Sequence, residues 1–185
     1  YAPIGNVGAQ LYLRTDRDAP NRKVVAIDTR APDPASWRIV VPEQPQALEN
    51  GALIGGRVAA QSLVDVSSRL RLFGLDGTPQ EEIALPGVGS GFGLSGRQDT
   101  SDVWYAFSSP LMPTTVFRYD PATRHSAAFE PPEAPIDASR YETTAGFATS
   151  RDGTRVPFFM TARKGVRRDG ANPVMLFGYG GFSVS

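Results

Sequence analysis

Length, composition and charge narrow the class of this protein. The chain has 185 residues, and its 19 basic and 19 acidic residues leave no formal net charge. That balance, with charges of both signs interspersed, argues against a nucleic-acid partner. There is no cysteine, so disulfides and thiolate metal sites are excluded, and no apolar run approaches the roughly 20 residues that cross a membrane. We therefore expect no nucleic-acid partner, no membrane partner and no metal.

A repeat occupies most of the chain. Residues 23–42, 69–86 and 114–132 each contain an apolar run ending in Asp, a turn, and a second apolar run closed by Pro. Asp at such turns hydrogen-bonds nearby backbone, and Gly accepts a positive φ, so each unit predicts a β-hairpin. The units recur about every 45 residues, which is typical of a β-propeller blade.

Further strand candidates bring each repeat to four strands. "LYLRT", "LVDVSSR" and "VWYAFSS" precede the three units, and "GALIGG" and "SGFGLSG" follow the first two. The pattern predicts about two and a half to three blades, whereas a propeller needs at least four blades to close. An open set of blades would leave apolar sheet faces uncovered, so we expect these 185 residues to be part of a longer polypeptide. A β-sandwich is the alternative.

The composition changes after the third repeat. Residues 131–140 are proline-rich and predict a linker. Two strands follow, at about Tyr141–Ser150 and Val156–Ala162, joined by an Asp-Gly turn. Val174–Phe177 is apolar at every position, as in a strand covered on both faces. A second domain is thus predicted to begin near Asp137.

Several motifs and single residues do not indicate a catalytic, nucleotide or metal site. Residues 91–96 match G-x-G-x-x-G, but a strand follows where a dinucleotide site needs a helix. The "TDRDAPN" segment resembles a calcium loop without its Gly and closing Glu. His125 is the sole histidine and is expected to be exposed between two strands. No G-x-S-x-G motif occurs, and no cofactor is expected.

The glycine–aromatic turn "GYGGF" is the strongest candidate for chemistry. Glycines at the end of a buried strand permit a sharp turn and a close backbone approach to a ligand. Tyr179 is a neutral hydrogen-bond donor suited to a developing oxyanion, and Phe182 offers a flat apolar wall. The alternative is that both rings only pack in the turn.

The order and spacing of "SRDGTRVPFFM", "RKG" and "GYGGF" closely resemble the prolyl oligopeptidase family, as do "RTDRDAPN", "WRIVVPE" and "IDASRYET" upstream. The resemblance implies a serine endopeptidase that cleaves short peptides after proline with a Ser-Asp-His triad. It assigns Tyr179 to the oxyanion hole and Phe182, with Gly180 and Gly181, to substrate binding. The related oligopeptidase B group has Ser-Tyr after "GYG", so Gly181 and Phe182 favour proline specificity.

The resemblance also implies a fold and a domain plan. Residues 1–136 correspond to the C-terminal blades of a seven-bladed propeller, and 137–185 to the start of an α/β-hydrolase domain. The chain is expected to be an interior fragment, since the family's triad lies C-terminal to "GYGGF". Its expected partners are short proline-containing peptides and the remaining segments of the same enzyme. Cytoplasm and periplasm both remain open, and so do two alternatives: a non-catalytic propeller interaction module, and a related oligopeptidase of different specificity.

Overall fold

Strands dominate the part of the chain that the computed structural model describes, which is residues 1–65, 67–134 and 136–178. The first blade contains β1 (Ala2–Val7), β2 (Gln10–Thr15), β3 (Lys23–Asp28) and β4 (Arg38–Val41). The second contains β5 (Leu48–Ile54), β6 (Arg57–Val64), β7 (Ser67–Gly74) and β8 (Pro79–Ile83). The third contains β9 (Ser90–Ser95), β10 (Val103–Ser109), β11 (Met112–Asp120) and β12 (His125–Phe129). Short 3₁₀ helices span Pro34–Ser36 and Ala138–Arg140.

Each blade is a four-stranded antiparallel sheet whose strands pair in chain order. The predicted repeat is therefore confirmed as three blades. One predicted strand is wrong, because residues 63–69 contain the end of β6, a turn and the start of β7. Asp65 adopts a φ of 46° in that turn, a left-handed conformation that Asp tolerates better than most residues. The true strand β6 lies just upstream, and β1 was also absent from the predicted strands.

The aspartates at the predicted turns do close them. The side chains of Asp28, Asp76 and Asp120 each accept a hydrogen bond from the backbone N–H two residues later, at 2.9, 2.9 and 2.8 Å. These hydrogen bonds favour the charged carboxylate and lower the pKa of Asp76 and Asp120. Gly77 follows Asp76 with a φ of 97°, a conformation that glycine adopts without strain.

Two apolar cores hold the blades together, one at each face of the second blade. Alternate residues of a strand point to opposite faces, so Phe73 packs toward the first blade and Leu72 toward the third. The core between the first and second blades contains Tyr12, Val24, Ala26, Val40, Val41, Leu48, Leu53, Val58, Ala60 and Phe73. The core between the second and third contains Ile54, Ala59, Leu70, Leu72, Ile83, Leu94, Val103, Tyr105, Phe107, Phe117 and Tyr119.

The first strands of neighbouring blades contact one another. β5 contacts both β1 and β9, and each of these three strands has a register shift against its neighbour in the sheet. Such bulges sharpen the local twist. Glycine makes the approach possible: a Cβ on Gly96 would lie 2.4 Å from Ile54 Cγ2 in the neighbouring blade. The second and third blades therefore meet with no room for a side chain at that position.

The outer face of the third blade is apolar and uncovered. Phe92, Val116 and Phe129 are 39%, 41% and 51% exposed, and the strand register places them on one face together with Ala106. The same kind of face is buried where the second blade meets its neighbours. This face is thus suited to pack against another apolar sheet, as expected for an open set of blades.

The segment after the blades folds as a hairpin. β13 (Tyr141–Thr149) pairs with β14 (Arg155–Arg163) in continuous register, and Gly153 in the connecting turn has a φ of 87°. The predicted hairpin is confirmed. The predicted strand at Val174–Phe177 is wrong: these residues are irregular and 85–94% exposed. A strand covered on both faces needs neighbours, and in the described chain no strand pairs with this run.

Candidate functional site

The residues predicted to carry the chemistry are not among those described. Tyr179, Gly180, Gly181 and Phe182 all lie outside the described residues, so their roles stay predictions.

The β13–β14 hairpin carries apolar side chains on both faces. Phe147 and Phe158 belong to opposite faces and are 43% and 42% exposed. The guanidinium of Arg155 lies 3.9 Å from the ring centroid of Phe147, a cation–π contact that covers part of that ring. An isolated two-stranded hairpin is marginally stable in water. Its two apolar faces are therefore suited to pack against further segments.

Strand direction decides from which end of the blades the chain reaches this hairpin. Because neighbouring strands are antiparallel, the fourth strand of a blade ends beside the turn between the second and third strands. β12 ends there at Phe129, and the chain continues toward β13. We call this end of the blades the exit end. It also carries the turns that follow Thr15, Val64 and Ser109.

A polar cavity of about 120 Å³ opens at the exit end of the first blade. Its lining consists of Tyr1, Ala2, Arg14, Thr15, Asp16 and Arg22. Arg22 is fixed there, because its Nη1 donates a hydrogen bond of 3.2 Å to the carbonyl of Leu48 in the second blade. In the sequence, residues 15–21 resemble only an incomplete calcium loop. The cavity forms where β1, β2 and the β2–β3 turn meet, and no sequence motif predicts that contact.

A second polar group joins the second and third blades. The Nε of Arg124 lies 3.4 Å from Oε2 of Glu81, whose side chain is 12% exposed. Burial, and then a hydrogen bond to the Glu81 carboxylate, raise the pKa of Tyr119 to about 12. This group links β8 to the β11–β12 hairpin, so it contributes to blade docking.

The remaining candidates are structural. His125 is exposed, as predicted, but it is the first residue of β12 rather than part of a loop between strands, and it pairs with Asp120 across the hairpin. Residues 91–95 belong to β9, and β10 follows with no helix between them, so the dinucleotide reading is excluded. Within the described ranges, no group of three or more His, Asp or Glu side chains could hold a metal ion. No helix of the described chain is long and apolar enough to span a bilayer.

Comparison with known families identifies the blades. The model of the "Prolyl oligopeptidase, N-terminal beta-propeller domain" matches residues 1–131. The chain belongs to the prolyl oligopeptidase family. The resemblance carried by the sequence motifs is thereby confirmed, and the three four-stranded sheets are blades of the family's propeller.

Relatives within the prolyl oligopeptidase family agree in sequence and in structure. A prolyl endopeptidase of Elizabethkingia meningoseptica is 33% identical over 178 residues, covering 96% of this chain and 25% of the relative. A solved structure from a study of two prolyl endopeptidases superposes with a TM-score of 0.80 at 32% identity, over 89% of this chain and 24% of that one. Apo prolyl oligopeptidase B of Galerina marginata gives 0.78 at 25% identity, over 90% and 24%. The chain thus spans about a quarter of the length of these relatives.

Proposed function

We propose that this chain is part of a serine endopeptidase that cleaves short peptides on the C-terminal side of proline. The observation that supports the proposal is the order of three features along the chain: propeller blades, a hairpin and a glycine–aromatic motif. Residues 1–131 match the family's propeller domain, the β13–β14 hairpin follows, and "GYGGF" comes next in the sequence. Relatives of this chain include proteins named prolyl endopeptidase, which supports peptide substrates.

The domain plan is part of the same proposal. Residues 1–136 form propeller blades, and residues 137–185 begin an α/β-hydrolase domain. The hairpin supports a boundary between them, because it forms its own sheet apart from the blades. Its two apolar faces, and the uncovered face of the third blade, would be buried by remaining segments of the same protein. Those segments would also supply the Ser, Asp and His of the triad.

Tyr179 would act on the carbonyl under attack. In acyl transfer, a serine oxygen adds to the carbonyl carbon and negative charge develops on the carbonyl oxygen. A phenol already aimed at that oxygen stabilises the charge with little reorganisation. Phe182 would stack on the proline ring of the substrate, and Gly180 and Gly181 would let the backbone approach the peptide closely.

The test removes one hydroxyl from the full-length protein. Tyr179→Phe should lower kcat for a proline-containing peptide about tenfold to a thousandfold, as expected for the loss of one oxyanion donor, with a smaller change in KM. Tyr141→Phe is the matched control, since it removes a phenolic hydroxyl from β13 of the same segment. An unchanged kcat in Tyr179→Phe would refute the oxyanion role. A parallel assay on an arginine-containing peptide decides specificity, because faster cleavage after arginine would contradict the proline pocket.

A further inference from the structure

In the described part of the chain, the cavity at the exit end of the first blade is lined by hydrogen-bond donors that have few protein acceptors. Arg14 and Arg22 both line it. Among the described residues, neither arginine has a carboxylate oxygen within 4.0 Å. A guanidinium has five N–H groups, and Arg22 uses Nη1 to reach Leu48. Most of the donors of these two cations are therefore free to bind a ligand.

A buried hydroxyl adds a third donor to the same lining. Thr15 is 2% exposed, and its Oγ1 accepts a hydrogen bond of 3.0 Å from the backbone N–H of Arg17. Oγ1 thus already has one hydrogen-bond partner, and the hydroxyl retains a proton that it can donate by rotation about the Cβ–Oγ1 bond. A ligand oxygen in the cavity would offer an acceptor to this hydroxyl.

Among the described residues, the nearby acids form no ion pair with Arg14 or Arg22. Glu49 accepts a hydrogen bond of 3.3 Å from Gln61 Nε2 and lies beyond ion-pair distance of Arg14. Asp16 is in the lining, also without an ion pair to either arginine in the described chain. We propose that Arg14, Thr15 and Arg22 form a binding site for a small oxyanion, of the carboxylate or phosphate type.

Electrostatics agree with this assignment. Burial, followed by the positive charge of Arg22, lowers the pKa of Arg14, while Glu49 raises it. Arginine stays protonated in proteins even so, and two neighbouring cations in a partly buried position repel each other. An anion between them relieves that repulsion, and planar guanidinium groups match the geometry of carboxylate and phosphate oxygens.

The first experiment measures binding of inorganic phosphate and of acetate to the full-length protein by titration calorimetry. Arg14→Gln should weaken the binding of both anions about tenfold or more, because a charge-assisted hydrogen bond is lost. Arg14→Lys keeps the charge but loses the fork geometry, and should give an intermediate loss. Arg30→Gln is the matched control: Arg30 is exposed and paired with Asp28, so anion binding should not change.

The proposal is overturned if neither anion binds the wild-type protein, or if Arg14→Gln binds both as tightly as the wild type does. Circular dichroism and the melting temperature establish that each variant is folded. This readout needs no peptidase activity, so it stands apart from the proposed function. A second arm identifies the source of the oxyanion by comparing one peptide with a free or an amidated C-terminus. If the free-acid peptide binds more tightly than the amidated peptide, and Arg14→Gln abolishes this difference, the site binds a peptide carboxylate. If the two peptides bind equally, the site binds a free anion.

Discussion

A single methyl group at position 96 should weaken the contact between the second and third blades. Gly96 follows β9, and a Cβ there would lie 2.4 Å from Ile54 Cγ2 and 2.7 Å from the carbonyl oxygen of Asp102. Favourable carbon–carbon contacts lie at about 3.5–4.0 Å, so the neighbours would have to move by about 1 Å. Ile54 is 1% exposed within the core between the two blades, where little free space exists.

The surroundings of Gly96 give little opportunity to relax. The backbone N–H of Gly55 donates a hydrogen bond of 2.9 Å to the carbonyl of Arg97, which ties the residue after Gly96 to the second blade. Overpacking in such a position typically costs about 1–3 kcal/mol. A smaller opposing effect comes from the unfolded chain, where replacing Gly by Ala stabilises the folded state by about 0.4–1 kcal/mol. We therefore expect Gly96→Ala to lower the free energy of unfolding by about 1–2 kcal/mol.

Urea unfolding of the full-length protein measures this loss, with Gly87→Ala as the matched control. A Cβ on Gly87 meets no atom within 4 Å, so that variant reports the unfolded-chain effect without the clash. A double-mutant cycle with Ile54→Ala should reduce the cost of Gly96→Ala, leaving the part due to the Asp102 carbonyl. Equal stability of the Gly96→Ala and Gly87→Ala variants, or no coupling to Ile54, would refute the packing argument.

Two further predictions concern pH. In the folded protein the pKa of Tyr119 is raised to about 12 from 10.0. As pH rises, the unfolded chain therefore loses this proton before the folded protein does. The stabilisation of the folded state by protonated Tyr119 is present below pH 10 and is lost between about pH 10 and 12. Absorbance titration and alkaline melts should show this loss, and Tyr119→Phe should lack it. A hydrogen bond from the Arg30 side chain, followed by one from its backbone, lowers the pKa of Asp28 to about 2 from 3.8. The stability from this pair is present above about pH 4 and is lost as pH falls through about 2. NMR titration should show the Asp28 pKa returning toward 3.8 in Arg30→Gln, and no change would contradict the role of that side chain.

Local patterns predicted the elements that depend on near neighbours. The turns at Asp28, Asp76 and Asp120 close through a hydrogen bond to the backbone two residues away, so residue type alone identifies them. The Asp152–Gly153 turn and its two strands follow for the same reason. The single strand predicted at residues 63–69 is wrong because β6 ends at Val64 and β7 begins at Ser67, and no Gly or Pro separates the two strands in the sequence. Val174–Phe177 has the composition of a buried strand, but composition cannot supply the neighbouring strands that burial requires.

The candidate chemistry divides in the same way. The motif "GYGGF" can be identified from the sequence because contiguous residues carry the family resemblance. Tyr179 and Phe182 themselves lie outside the described part of the chain. The arginine cavity has no comparable signal. Arg14 lies in β2, and Arg22 lies in the turn before β3. Their guanidinium groups reach one opening because β2 pairs with β3 and because Arg22 is held by the carbonyl of Leu48.

The amino-acid sequence by itself determined the blade period, the turns and the family, because each is encoded in residues close together along the chain. Only the tertiary structure decided which faces meet, that Gly96 must lack a side chain, and where Arg14 and Arg22 converge. Those properties depend on distances between blades, and such distances are set by packing between segments that are far apart in sequence.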